Sequence, residues 1–264
     1  MTRRGEPHRC KVLASPWPGV YGAHIESARH FGRHWHDAYG VGFLEHGAHR
    51  SASGRGNVDA YAGELITANP GEVHDGRPLG GPSRRWRILY VEPAALSAFS
   101  GARREIERPV IRDPELLRSL RRLFRRLEAG DRLACEESLV ETCTEVMARY
   151  GGLRLPREGS AEMQRVRDRL ADELADPPTL AELAEISGLS RYQVLRHFER
   201  SFGLPPHAWL MQRRAERARG LIREGASLSS AAAASGFSDQ SHMTRVFTRQ
   251  FGFTPGAWRK AHLQ

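Results

Sequence analysis

Lysine is almost missing from this chain: Lys11 and Lys260 are its only two, and arginine supplies the rest of the 40 basic residues. Genome base composition is the plain cause of such a bias, so arginine richness by itself identifies no partner. Cysteine is scarce as well. Cys10, Cys135 and Cys143 form no Cys-x-x-Cys pair, and Cys135 and Cys143 would stand about 12 Å apart along one helix, which argues against a disulfide framework and leaves reduced, structural thiols. No uncharged apolar run is long enough to cross a bilayer, and the charged start Met1-Thr-Arg-Arg is followed by no apolar signal segment, so a cytoplasmic location and no membrane partner are expected. No motif places a Ser/His/Asp or Cys/His constellation, and no phosphate-binding glycine loop is present. No catalytic residue is therefore nominated, and the chain is not read as an enzyme.

What is present is length for two domains, a 40% hydrophobic content and a formal net charge of +9. The charge is unevenly placed. Residues 187–264 carry 12 basic and 4 acidic side chains, whereas 156–186 carry 4 basic and 8 acidic, which predicts a cationic surface over the last third of the chain. That third also contains an internal repeat. One copy runs from Leu180 to Ser190 and ends Arg196-His-Phe-Glu-Arg-Ser-Phe-Gly-Leu-Pro-Pro; the other runs from Leu228 to Ser238 and ends Arg245-Val-Phe-Thr-Arg-Gln-Phe-Gly-Phe-Thr-Pro. Each reads as a short helix, a turn at Gly188 or Gly236 and a second helix capped by Ser190 or Ser238, the helix-turn-helix layout that places a helix in the major groove of DNA.

Spacing divides the second helices into faces. Val194, Phe198 and Phe202 form an apolar stripe, as do Met243, Phe247 and Phe251, so Tyr192 with Arg196, and Ser241 with Arg245, point away from the core. Gln193 and His242 flank one side of those faces, Leu195 and Thr244 the other. Arginine suits guanine, glutamine suits adenine, and an exposed leucine suits a thymine methyl. The candidate DNA contacts on these faces are Arg191, Tyr192, Gln193, Leu195, Arg196, Ser241, His242 and Arg245. Between the copies, His207 to Glu224 is predicted to be one connecting helix of roughly 25 Å, which together with the width of each unit is enough to hold two recognition helices about 34 Å apart. Its Arg213, Arg214, Glu216, Arg217 and Arg219 are read as surface charge.

These residues resemble the AraC/XylS family of bacterial transcription regulators from Leu180 to Trp258, most specifically over Gly236-Phe-Ser-Asp-Gln-Ser-His-Met-Thr-Arg-Val-Phe-Thr-Arg-Gln-Phe-Gly-Phe-Thr-Pro. The resemblance implies that Tyr192, Leu195, Arg196, Gln240, Ser241, His242 and Arg245 occupy base-reading positions. Leu195 departs from it, standing where the family often has a polar residue.

The amino-terminal half is rich in Gly and Pro, with short runs such as Val41-Gly-Phe-Leu, Glu64-Leu-Ile-Thr and Trp86-Arg-Ile-Leu-Tyr-Val, which predict a small β-barrel or sandwich. Two clusters, His34-Trp-His-Asp-Ala-Tyr39 and Gly63-Glu-Leu-Ile-Thr-Ala-Asn-Pro-Gly-Glu-Val-His74, resemble the halves of a cupin motif and the Pro-Gly-Glu-x-His turn of AraC-type sensor domains. On a strand, His34 and His36 would face one side, and His74 could join them. Three readings stay open: a divalent metal on His34, His36 and His74; a metal-free polar pocket; and structural histidines. The carboxylate usual in metal-binding cupins is absent after His36, and Glu72 is its nearest substitute. The candidate effector set is His34, His36, Tyr39, Glu72 and His74, with Phe43 and Trp86 as apolar walls and no other cofactor.

Two amphipathic segments follow, from Pro114 to Leu127 and from Arg132 to Met147. Leu116, Leu120, Leu123 and Leu127 line a stripe, widened by Leu117 and Phe124, that would pack on the barrel or form a two-fold interface. Gly151 to Ser160 reads as a linker. The expected chain is α+β and multidomain: a cupin-like sensor over 1–100, a helical hairpin for dimerisation over 101–155, and an all-α double helix-turn-helix domain over 156–264. The implied function is a transcription regulator, with activator and repressor both open, and with promoter DNA, a small-molecule effector, a second copy of itself and RNA polymerase as partners. The alternative is a metal-dependent cupin enzyme fused to a DNA-binding module.

Overall fold

The computed structural model describes residues 8–54, 56–100, 104–153 and 160–262. The chain divides into two compact units, 1–154 and 155–264. In the first, strands β1 (His8–Ala14), β2 (Val20–Ser27), β3 (Phe31–His34), β4 (Tyr39–His46), β5 (Ala48–Ser53), β6 (Gly56–Tyr61), β7 (Leu65–Ala68), β8 (His74–Pro78) and β9 (Arg84–Val91) precede α1 (Pro93–Ser100). Short strands β10 (Arg104–Ile106) and β11 (Val110–Ile111), helices α2 (Pro114–Ala129) and α3 (Arg132–Tyr150), and β12 (Gly151–Leu153) complete it. Two sheets, ordered β1-β2-β9-β4-β7-β11 and β3-β8-β5-β6, are antiparallel throughout.

The larger sheet is covered on both faces, which is why all of β4 from Tyr39 to Leu44 is buried and its sequence shows no polar alternation. One face, bearing Tyr39, Val41, Phe43, Leu89 and Val91, packs on the helical hairpin; Leu116, Leu120, Leu123 and Phe124 are fully buried there and Leu127 nearly so. Each such side chain contributes about 1.5–3 kcal/mol. The leucine stripe is thus consumed inside this unit, and Leu117 is only partly buried at its edge. The hairpin exists because Asp113 caps α2 ahead of Pro114, Gly130 ends it in the left-handed region, and Asp131 caps α3. The opposite face of β9 looks toward the smaller sheet: Trp86 lies 6.1 Å from Phe31 and 6.4 Å from His49, ring centre to ring centre.

Two expectations change here. Gly151 to Leu153 is not linker, because these residues pair with β10 and its ladder bonds satisfy their backbone groups; the linker positions 154–159 lie outside the described residues. The hairpin, expected as a segment of its own, shares the core of the sheet unit.

The second unit contains α4 (Ala161–Asp172), α5 (Leu180–Ser187), α6 (Arg191–Phe202), α7 (Pro206–Arg223), α8 (Leu228–Ala234), α9 (Gln240–Phe251) and α10 (Pro255–His262). α5 with α6, and α8 with α9, form the two helix-turn-helix pairs, joined by the single helix α7. Thr179 with Glu182 and Ser190 with Gln193 make reciprocal capping boxes at α5 and α6. At α9 the cap is Asp239 rather than Ser238: its carboxylate accepts from the His242 N–H at 2.7 Å, which accounts for the extra residue in the second copy. The charges of α7 are also corrected. Arg214, Glu216 and Arg219 are buried: Arg214 Nε donates to Leu174 O at 2.8 Å, and Arg219 Nε to Glu216 Oε2 at 2.9 Å, with the Arg219 guanidinium over Trp258. Packing against α10 and the segment before α5 takes them out of the phosphate-contacting surface, leaving Arg217 exposed.

Candidate functional site: a nucleic-acid interface and a histidine cluster

In α6 the buried side is Val194 and Phe198, with Phe202 half-buried; in α9 it is Met243, Phe247 and Phe251. The opposite sides are open. Tyr192 is 68% exposed and Leu195 38%, and Arg191, Gln193, Arg196, Gln240, Ser241 and Arg245 are exposed with them. The two helices are therefore built alike, and Arg196 and Arg245 hold equivalent places two turns before the terminating Gly203 and Gly252. The Arg196 guanidinium lies 6.0 Å from the centre of the Tyr192 ring, a contact that limits its swing without consuming its donors.

Two candidates are more committed than their neighbours. Gln193 Oε1 accepts from the Ser190 N–H at 3.0 Å, so its capping role ties down the carbonyl that a bidentate adenine contact would need. His242 is half-buried, its Nδ1 3.2 Å from Ser238 Oγ and its ring edge-on to Phe237. Asp239 is held below the usual carboxylate range, first by the hydrogen bond from His242 N–H, and this negative charge at the start of α9 complements the helix dipole.

In the sheet unit, His34 closes β3 directly opposite His74 at the start of β8. His36 lies beyond the strand end, in the turn to β4, rather than on the strand itself. The turn nonetheless brings it in: ring centres are 5.0 Å (His34–His36), 4.5 Å (His34–His74) and 5.5 Å (His36–His74) apart. One nitrogen from each ring lies within 4.8 Å of the others. His34 Nδ1 donates to Gly32 O at 2.7 Å and His74 Nδ1 to Glu72 O at 2.9 Å; a carbonyl can only accept, so in both rings Nε2 carries the lone pair. Burial, and then His74, push the His34 pKa down to about 3 against the pull of that bond.

The other two members of the expected effector set fall elsewhere. Tyr39 belongs to the hairpin face of β4, and its hydroxyl donates to Arg104 O at 2.6 Å. Glu72 is buried, but its carboxylate accepts from the Asn69 backbone N–H at 3.1 Å and from Asn69 Nδ2 at 3.3 Å, serving the turn rather than joining the imidazoles. Phe43 likewise packs on Phe124, in the hairpin core. Trp86 faces the space between the sheets, as expected.

Sequence reasoning missed two residues of that space, Arg84 and His49. Arg84 is 1% exposed, stacks over Trp86 and Phe31, and donates Nε to His49 Nδ1 at 2.8 Å and Nη1 to Arg29 O at 3.1 Å. Its Nη2 is buried with no acceptor among the described residues. Nothing in a lone Arg-Arg-Trp run marks the first arginine as interior. A polar groove of about 490 Å³ on the opposite face of the smaller sheet, lined by His30, Arg50, Asn57, Asp59, Asp75 and Arg77, was also missed, although charges alternating along β5, β6 and β8 were its signal. The Cys143 thiol, pushed up to about 12 by burial, is inert. No helix among the described residues is long and apolar enough to cross a membrane.

Comparison with known proteins agrees with this anatomy. Residues 18–142 match the AraC-like ligand binding domain and residues 183–261 a helix-turn-helix domain. An uncharacterized HTH-type transcriptional regulator, YbfI of Bacillus subtilis, is 31% identical over 236 residues, covering 83% of this chain and 86% of its own length. The transcriptional activator NphR of Rhodococcus is 35% identical over 103 residues, 38% of this chain and 30% of the relative. Among solved structures, ToxT from Vibrio cholerae superposes with a TM-score of 0.54 over 97% of this chain and 98% of that one, at 11% identity, which is a likeness of fold. With both units matched and a relative aligned along most of its length, the chain belongs to the AraC family of transcription regulators, joining a ligand-binding domain to a helix-turn-helix DNA-binding domain.

Proposed function

We propose that Arg196 and Arg245 each read a base, guanine by their chemistry, in successive major-groove segments of a promoter. The observation that carries this is their recurrence at one position of two equivalently built helices, exposed opposite the buried stripes. Tyr192, Leu195, Gln240 and Ser241 complete the face, while Arg191 and Arg217 suit phosphate. The effector enters between the two sheets of the first unit, where the histidine cluster and Arg84 lie; the Arg84 Nη2 donor calls for a carbonyl or carboxylate oxygen on it. The protein works in the cytoplasm as a homodimer that engages RNA polymerase, with the outward side of α3, where Leu133 is 66% and Val140 40% exposed, as the dimer surface.

Selecting bound duplexes from a random pool with the full chain tests the base-reading assignment. Arg196→Ala and Arg245→Ala should each weaken the selected site by about 1–3 kcal/mol and relax preference at one position apiece. If both variants keep the full sequence preference, the face is wrongly assigned.

A further inference from the structure

We infer that the outward face of the smaller sheet carries a second small-molecule site, separate from the space between the sheets, that takes a zwitterionic amino acid with a polar side chain. The site is the groove of about 490 Å³ on that face, a volume within the range of small-molecule pockets. Strand parity builds it. His49 and His74 turn inward, so Arg50 and Ala52 on β5, Asn57 and Asp59 on β6, and Asp75 and Arg77 on β8 turn outward together. Pairing sets them in two rows: Arg77, Arg50 and Asp59 lie side by side in one, and Asp75, Ala52 and Asn57 in the next. The Ala52 side chain ends at Cβ, which leaves the space in the middle of the second row.

The first row sets two arginines directly opposite one another, which repels unless it is compensated. Compensation reaches only one of them. Arg50 donates Nε and Nη2 to Asp59 Oδ1 and Oδ2, both at 2.6 Å, a two-point pair that cancels both charges. The Asp59 carboxyl is held below its usual range first by the Arg50 hydrogen bond, and the Arg77 charge adds to this. Arg77 itself is exposed and makes no hydrogen bond or ion pair among the described residues. In the second row Asp75 Oδ1 accepts from the Ala52 N–H at 2.7 Å, which fixes the carboxylate and leaves its other oxygen for a ligand. With Arg50 and Asp59 cancelled, one guanidinium and one carboxylate remain, two residues and about 7 Å apart along β8. They match the two charges of a single amino acid: Arg77 presents its planar fork to the carboxylate, and Asp75 accepts from the ammonium. A plain anion would meet Asp75, and a plain cation Arg77. The amino acid's side chain then lies over Ala52, toward the Asn57 amide and the Arg50–Asp59 pair. Among the described residues the lining holds no aliphatic side chain larger than Ala52 and no Phe, Tyr or Trp, so a polar side chain fits and an apolar one does not.

The test uses the full chain with L-serine, L-asparagine and L-glutamine as probes, followed by ligand-observed NMR and calorimetry. At least one should bind saturably. Its N-acetyl derivative, which lacks the ammonium, and its α-carboxamide, which lacks the carboxylate, should each bind about 10-fold or more weakly, as loss of a charged hydrogen bond implies. Arg77→Gln and Asp75→Asn should each weaken the parent amino acid about as much, and Arg77→Gln should no longer distinguish acid from carboxamide. The Asp75→Asn side chain keeps an oxygen for the Ala52 N–H, so the strand pairing survives it. Arg118→Gln, on an exposed arginine of α2 outside the groove, should leave binding unchanged. No saturable binding by any of the three probes, or derivatives that bind as well as the parent, overturns the site. Full affinity in either groove variant overturns it too, by placing the amino acid elsewhere on the chain. Should a variant fail to fold, the derivative series on the wild type decides by the same outcomes.

Discussion

The internal repeat supplies a paired experiment, because Gly188 and Gly236 stand at the same point of the two turns and both adopt left-handed backbone, φ +68° and +81°. Their surroundings differ. A Cβ on Gly188 meets nothing within 4 Å, so Gly188→Ala carries only the left-handed penalty of about 1–2 kcal/mol. A Cβ on Gly236 would lie 2.3 Å from Leu174 O, 2.9 Å from Ala175 Cα and 2.9 Å from Arg214 Nε. Leu174 O and Arg214 Nε are the two ends of the hydrogen bond that holds the buried Arg214, and backbone cannot swing aside as a flexible side chain does. Breaking a bond to a buried charged group adds about 1.5–3 kcal/mol to the conformational cost, for a total near 4 kcal/mol. A domain of ordinary stability, about 5–15 kcal/mol, would lose a large share. Urea unfolding of the full chain, followed by hydrogen exchange of peptides from 160–262, measures both variants in the unit concerned. Equal costs for the two alanines, or a larger one at Gly188, would refute the reasoning.

Two further outcomes follow from burial and exposure. Burial, then Arg84 and His74, push the His49 pKa from 6.5 down to about 3, with Asp59 opposing, so the imidazole is neutral in the folded chain while the unfolded chain takes up the proton first as pH falls. The group leaves stability unaffected above pH 6.5 and lowers it progressively toward pH 3, by about 2 kcal/mol at pH 5; urea midpoints of chelator-treated protein between about pH 7.5 and 5 should fall more steeply in the wild type than in His49→Gln, and matching slopes would sink the idea. If the outward side of α3 is the dimer surface, the double variant Leu133→Glu, Val140→Glu should sediment as a monomer where the wild type sediments as a dimer at micromolar concentration, and a wild type that is itself monomeric removes the dimer.

The helix-turn-helix half was legible because its rules are local. Stripes at four-residue spacing, capping boxes and a glycine turn all lie within a dozen residues of one another, and the repeat states them twice. What stayed hidden depends on distant partners. Arg214, Glu216 and Arg219 look like any solvated helix face, and distant partners such as Leu174, about 40 residues earlier, and Trp258, about 40 later, take them inside. In the sheet unit the obstacle was different: with both faces of β4 covered, alternation carries no sign of which face is which, and Tyr39 could not be assigned to the hairpin side from spacing alone. His34 and His36 were grouped by strand parity, yet a turn achieves the grouping, since the strand has already ended.

That same double coverage gives the sensor unit a route from site to hairpin. β9 places Tyr90 against His36 on one face, while its neighbours Leu89 and Val91 belong to the core shared with α2 and α3 on the other. Antiparallel pairing to β2 on one side and β4 on the other holds the strand in register, so a displacement of Tyr90 would have to be a rotation or tilt shared with the alternate side chains Leu89 and Val91. Close-packed interiors pass such strain on rather than absorb it. An equilibrium shifts only by the difference in affinity between its two states, so contacts bear on regulation only where the two states differ in them, and the hairpin residues that line one small cavity with Leu89 and Val91 of β9 are Thr142, Cys143, Val146 and Met147 of α3.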